Sequence, residues 1–355
     1  MPDHPGPSRN KFLIRLLHWE YWSFNAVYGP VMPIWLLVCL RARSFFFFNA
    51  SNPRIENGGF LNESKKDIHA ILPTDLYPRT RHFELGTPGP AVLQGLKEAG
   101  LALPLVGKPD VGGRGRGVKI LRHWEEVEKY ADTCTMNFHI QELVLWPNEV
   151  GIFYVRLPSE KRGRITGIVR KEFLSVTGDG KHTLHELVAL DQRAVLYMGQ
   201  VFSGPLSEQA ERVIPAGERV LLSPYGNHAR GSTFWDDTYL ADDALTGMID
   251  SLSKRIPDFH FGRLDIRFRD WEALKKGEDM VLLEVNGAGA EPTHMYDPRH
   301  SIFRAWKEII KHWNWLLQVS HENHVRGHRY MSWSEGMAMF RKDKALSKQL
   351  NEIPL

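Results

Sequence analysis

Cysteine is nearly absent: Cys39 and Cys134 are the only two among 355 residues. Two thiols can build neither a disulfide framework nor a four-thiolate metal site, and their scarcity favours a reducing, cytoplasmic setting. An excess of charge is also missing. A net charge of +3 is too small to call for nucleic acid as a partner. The longest apolar run, Tyr28 to Leu40, is about a dozen residues and holds Pro30 and Pro33, whereas a membrane span needs roughly 20 residues. The Pro-rich start, residues 1–10, lacks the flanks of a signal peptide and is expected to be disordered. No internal repeat is evident. What remains is an ordinary globular composition, 43% hydrophobic and 25% charged, in a chain long enough for two or three subdomains.

One stretch organises the rest. Phe261-Gly-Arg-Leu-Asp-Ile-Arg-Phe268 and Met280-Val-Leu-Leu-Glu-Val-Asn286 read as paired strands, with Asp270 to Asp279 as an exposed connection. Glu284 and Asn286 are two apart and so share a strand face. Asp265 lies in the first strand. Three hard oxygen ligands converging on one spot suit magnesium; the plainer alternative is a sheet face that happens to carry three polar residues.

Upstream, a strand from Leu101 to Lys108 runs into Pro109-Asp-Val-Gly-Gly-Arg-Gly-Arg-Gly117, and Val118 to Leu121 resumes the strand pattern. No helix opens after these glycines, so this is a hairpin and not a dinucleotide fingerprint. Without side chains at Gly112, Gly113, Gly115 and Gly117, backbone N–H groups can approach an anion. Lys108 sits at the loop mouth, and Arg114 and Arg116 ride on it. His139 to Arg156 reads as strand, linker and strand; the linker carries Glu142, Leu143 and Val144, and Glu149 follows. Another strand, Ile165 to Val176, carries Arg170, Lys171 and Glu172. Asn227, His228 and Arg230 cluster in an irregular segment.

Helices are expected over 66–72, 91–99, 183–192, 241–255 and 301–319, with a surface helix and basic tail over 321–355. Phe45 to Phe48 reads as a buried strand. Glu56, Asn57, Lys65 and Lys66 are either ligand contacts or a solvated loop. The segment 11–45 has two readings. In one it is a core or inter-subunit helix, which would make a homodimer. In the other it is a helix lying in a membrane interface, with Trp19, Trp22, Trp35, Arg41 and Arg43 as anchors. The core reading is preferred, since amphipathic helices usually bury their apolar face in protein.

A strand ending in Lys-Pro, a Gly-rich loop, a Glu-containing linker, a strand lysine, then Gly262-Arg-Leu-Asp265 and Leu283-Glu-Val-Asn286 resemble the ATP-grasp superfamily. The last two motifs are similar to those of D-alanine–D-alanine ligase. Thr177-Gly-Asp-Gly-Lys-His-Thr-Leu-His-Glu-Leu187 and the 216–232 segment resemble the ATP-grasp half of cyanophycin synthetase. The resemblance covers roughly residues 65–310. It implies an α+β fold with ATP held between two α+β subdomains, here 65–140 and 141–320, behind an atypical aromatic, helical segment at 1–64.

It also implies ATP and magnesium (manganese as the alternative) as cofactors, and a carboxylate and an amine, small-molecule or peptide, as substrates. The carboxylate would attack the γ-phosphate, and an amine would displace phosphate from the resulting acyl phosphate. Asp265, Glu284 and Asn286 would hold the metal, and Lys108, Lys171 and the Gly112–Gly117 loop the phosphates. Glu142, Leu143 and Val144 would border adenine, and Glu149 the ribose. Arg263 would stabilise an oxyanion, and Asn227 and Arg230 would border the γ-phosphate or the acyl substrate. The chain departs from D-alanine–D-alanine ligase after Asn286, where Glu291 and His294 would make a different acceptor pocket. A kinase-like phosphotransferase and a catalytically silent, membrane-associated nucleotide binder at the inner membrane face are the alternatives.

Overall fold

The computed structural model describes residues 10–352 except 62 and 114. The expected disorder of the first residues and the placing of Arg114 therefore lie outside the described residues, save for Asn10, which caps the first helix by accepting from the Phe12 N–H at 3.0 Å.

Three short helices open the chain: α1 (Lys11–Leu17), α2 (Phe24–Tyr28) and α3 (Met32–Ala42). With a 3₁₀ turn between them, α2 and α3 form a helical path of 19 residues, Phe24–Ala42, long and apolar enough to cross a membrane by length and composition. Counting the apolar run alone missed this, because α2 extends the path ahead of Pro30. The path buries one face, with Val27, Tyr28 and Val31 in one apolar cluster and Val38, Cys39 and Ala42 in another, and leaves the rest exposed, so the core reading holds for one face only. Phe45 to Phe48 is not a strand either. The chain turns there and enters a 3₁₀ helix, Phe47–Ala50. Phe46, Phe47 and Phe48 are buried while Phe45 is half exposed. Apolar content set the burial, but a run with no alternation cannot specify strand over turn.

After α4 (Lys65–Ile71) comes an antiparallel sheet of order β1-β4-β2-β3, made of β1 (Thr80–Phe83), β2 (Leu105–Pro109), β3 (Lys119–Leu121) and β4 (Phe138–Glu142). Its helices α5 (Gly89–Glu98) and α6 (Trp124–Thr133) cover one face. Phe138 and Ile140 point into that core with Val92, Leu96 and Val127. By the period of two, His139 and Gln141 point the other way.

The second sheet has order β11-β10-β5-β6-β9, again antiparallel, from β5 (Asn148–Val155), β6 (Arg164–Glu172), β9 (Thr233–Asp236), β10 (Phe261–Phe268) and β11 (Met280–Asn286). A hairpin of β7 (Ser175–Thr177) and β8 (Arg219–Leu221), with α7 (Leu184–Leu190) and α8 (Met198–Val201), inserts between β6 and β9. On one face Val150, Ile152, Leu264 and Ile266 pack with Leu245 and Ile249 of α9 (Asp243–Lys254). The other face carries Arg263, Asp265 and Arg267. The link between β10 and β11 is a short helix, α10 (Trp271–Lys276), capped by the Asp270 carboxylate, which accepts from the Ala273 N–H at 2.9 Å, and not a plain exposed connection.

The C-terminal part departs most from expectation. α11 (Ile302–Val325) runs well past residue 319, and α12 (Trp333–Glu352) is no free surface tail. Leu346 and Leu350 of α12 join the core of the first sheet. A Cβ added at Gly112 would lie 2.8 Å from a Leu350 methyl, so this helix lies directly on the Gly-rich loop.

Candidate active site

The pairing of β10 and β11 sets Asp265 opposite Glu284 and Arg263 opposite Asn286. On the other side β5 sets Gly151 against Asp265. Gly151 is needed there. A Cβ would come within 3.0 Å of both the Arg263 and the Asp265 side chains.

The side chains on this face form a row of alternating charge. Lys171 Nζ is 2.9 Å from Glu149 Oε1 and 3.2 Å from Asp265 Oδ2. Arg267 donates to Glu149 Oε2 at 3.0 Å. Arg263 donates from Nε to Asp265 Oδ1 at 2.7 Å and from NH2 to Oδ2 at 3.2 Å. Its NH1 also reaches the Glu291 carbonyl at 3.2 Å. Burial alone would raise the Asp265 pKa, but Arg263 and then Lys171 overcome it and hold the carboxyl well below the usual carboxylate range. Burial pulls the Lys171 pKa down, and Asp265 and Glu149 more than reverse this. Both groups are therefore fixed as ions.

Lys108 faces this row from β2 and donates to Gln141 Oε1 at 2.7 Å. Burial lowers its pKa to about 8, Lys65 adds to the fall, and Glu284 and Glu149 oppose it. The ammonium is thus charged below pH 8 and neutral above it. Affinity of the cleft for a polyphosphate anion is expected to fall about tenfold as pH rises from 7 to 9, the worth of a hydrogen bond to a charged group. Calorimetric titration at both pH values checks this. Lys108→Arg, which keeps its charge, should flatten the profile.

Among the expected phosphate and base contacts, Gly112, Gly113, Gly115, Leu143, Val144 and Asn227 line the same cleft as Lys108, Lys171 and Asp265. Gly117 and Arg230 do not. Gly117 offers its carbonyl to the Tyr130 hydroxyl at 2.9 Å. Arg230 donates to the Gly115 carbonyl at 2.6 Å and lies over the Tyr225 ring, bracing the loop from behind. Glu142 lines the cleft but holds Arg79 at 3.1 Å. Both oxygens of Glu149 are engaged by cations, so a ribose there would have to compete with Lys171 and Arg267.

Of the undecided group, Lys65 donates to the carbonyls of Asp110 and Gly112 at 3.3 and 3.0 Å and so braces the loop. Lys66 gives its backbone N–H to Asp110, Glu56 pairs with Lys342, and Asn57 donates to the Leu61 carbonyl. Glu291 does line the cleft, accepting from the hydroxyls of Tyr28 at 2.8 Å and Tyr296 at 3.2 Å. His294 does not join it in an acceptor pocket. It is buried against Gly167, whose lack of a side chain leaves room for its ring, and it faces Glu308 at 3.4 Å.

Glu63, Gln141 and Arg267 border the cleft and were not foreseen. Glu63 Oε1 accepts from the Gly287 N–H at 3.1 Å, and burial, with Glu284 adding to it, raises the carboxyl to about 8. No local pattern points to Glu63, since its partner lies 224 residues away. Gln141 was accessible through the alternation of β4, which puts it on the face of His139.

The donor set on β10 and β11 has the chemistry of a hard-cation site, although both Asp265 oxygens are engaged by Arg263 and Lys171, so a cation there would have to compete with them. Two carboxylates and one amide stand on neighbouring strands, and the Asn286 Nδ2 is buried with no hydrogen-bond partner. An amide not claimed by the protein is free to turn its oxygen toward a ligand.

No protein-family description matches this sequence, and no curated protein matches it. Solved structures do. The chain is similar to a bifunctional glutathione synthetase from Pasteurella multocida, at 17% identity over 68% of this chain and 35% of that one, with a TM-score of 0.38. It is similar to the VanG D-Ala:D-Ser ligase from Enterococcus faecalis, at 13% identity over 72% and 61% with a TM-score of 0.40. A D-alanine–D-alanine ligase from Bacillus anthracis complexed with ATP matches at 14% identity over 75% and 66%, also with a TM-score of 0.40. The chain spans about a third of the first of these proteins and less than two thirds of the second.

Proposed function

We propose that this chain is an ATP-grasp ligase that joins a carboxylic acid to an amine through an acyl phosphate. One observation carries the reading. Cations and carboxylates from two separate sheets, Lys108 on one and Lys171, Arg263, Asp265 and Glu284 on the other, line a single cleft of about 1200 Å³. That volume accommodates a nucleotide together with a second substrate. Phosphoryl transfer needs positioning and charge neutralisation more than covalent help, and this cleft supplies both.

Lys108 and Lys171 would hold the phosphates from opposite walls, under the Gly112–Gly115 backbone. Asp265, Glu284 and Asn286 would hold magnesium, which when bound neutralises phosphate charge and orients the γ-phosphate. A substrate carboxylate placed beside Arg263 attacks that phosphate; its oxygen forms the new P–O bond and ADP leaves. Arg263 then faces the acyl carbon, where negative charge grows on oxygen as the amine adds. Phosphate departs with the former carboxylate oxygen, and the amine loses a proton. Glu291, anchored by Tyr28 and Tyr296 and next to Arg263, is placed to hold a cationic amine.

The test is a pooled screen of acids and amines for ADP release with magnesium. Release is expected only when an acid and an amine are both present. Hydroxylamine in place of the amine should yield a hydroxamate. Steady ADP release on an acid or alcohol alone, with a phosphorylated product and no hydroxamate, would instead mark a kinase.

A further inference from the structure

We infer that the first three helices dock the protein on an anionic lipid surface through their apolar, basic face. On α3 the exposed residues Met32, Leu36, Leu37 and Leu40 recur at helical spacing, with Leu37 58% and Leu40 69% exposed. On α1 the same holds for Phe12, Leu13, Leu16 and Leu17, of which Phe12 is 70% and Leu17 75% exposed. Phe24 and Phe45 extend the surface. Patches of this kind mark a partner, since soluble proteins rarely leave such an area open.

The opposite face of the helical path is already engaged. Val31, Val38 and Cys39 are buried, the Trp306 indole donates to the Val27 carbonyl at 2.8 Å, and Trp35 packs on Trp313 of α11. A helix tied along one side to a soluble helix lies in an interface and does not span it.

Charge selects the occupant. Between Asn10 and Ile55 the one acidic residue is Glu20, and it is buried in pairs with Arg193 and His228 at 2.6 and 3.1 Å. Lys11, Arg15, Arg41 and Arg43 are exposed. A second copy would bring this positive surface against itself, whereas anionic headgroups complement it. Arg15, Trp22, Phe24 and Met32 also border the cleft, so its mouth meets the docked surface.

Docking does not require the ligase reading and is tested without nucleotide. The full chain is sedimented with vesicles of phosphatidylcholine alone or mixed with phosphatidylglycerol. Binding is expected to the mixed vesicles and to drop about 25-fold in R15Q/R43Q, at roughly fivefold per cation removed. In L36S/L37S/L40S it should vanish while the thermal midpoint stays put, since these side chains are exposed; should that variant fold poorly, the arginine variant decides. The inference is overturned if mixed vesicles do not sediment the protein, if neutral vesicles bind it equally well, or if the face instead forms a concentration-dependent dimer that the leucine substitutions abolish.

Discussion

Asp265→Asn is expected to abolish turnover and to destabilise the fold, whereas Glu284→Gln abolishes turnover alone. The two carboxylates sit opposite each other on β10 and β11, yet their surroundings differ. Asp265 is buried between Arg263 and Lys171, whose nitrogens lie 2.7 and 3.2 Å from its oxygens. Removing its charge leaves two buried cations undercompensated, a loss that typically costs about 3–5 kcal/mol. Glu284 is half-buried. It acts on the site at longer range, raising the pKa of Lys108 and Arg263. Its amide should unfold within about 0.5 kcal/mol of the parent, as substitutions away from buried networks usually do. Both variants should lose about 10³-fold or more in kcat, the several kcal/mol that a bound metal contributes to phosphoryl transfer. Urea denaturation beside ADP-release kinetics separates the two effects. A fully active Glu284→Gln enzyme would remove the metal assignment.

Arg263→Lys should lower kcat by about 10²–10³ with little change in the KM for ATP. Arg263 uses three nitrogens at once, two on Asp265 and one on the Glu291 carbonyl. A lysine ammonium keeps the charge but cannot reproduce that planar fork. The charge on Asp265 stays neutralised, so folding survives. In the proposed mechanism the guanidinium would also face the acyl carbon, and losing one such contact typically costs about 3 kcal/mol in the transition state. A rise in KM with kcat intact would place Arg263 in substrate binding instead.

The β10–β11 pair was legible in the sequence because strand periodicity is strict. Once Phe261–Phe268 and Met280–Asn286 are strands, Glu284 and Asn286 must share a face, and only the register with Asp265 remains to be found. The glycine hairpin was equally plain, since Gly112, Gly115 and Gly117 all adopt positive φ. Contacts distant in sequence were hidden. Nothing near Glu63 announces Gly287, and nothing in 333–352 announces that Leu350 will cover Gly112. The aromatic segment was legible only by half for another reason. Apolar residues in α1 and α3 signal burial, but a sequence does not say which of them face the protein's own core and which stay exposed. In Phe45–Phe48 the absence of alternation removed the one feature that tells strand from turn.

The most direct test of an acyl phosphate uses the acid found by the ADP-release screen, labelled with ¹⁸O in its carboxylate. If that carboxylate attacks the γ-phosphate, one labelled oxygen passes to inorganic phosphate at each turnover, and mass spectrometry of the phosphate detects it. Phosphate free of ¹⁸O, released while product forms at the normal rate, would contradict the mechanism.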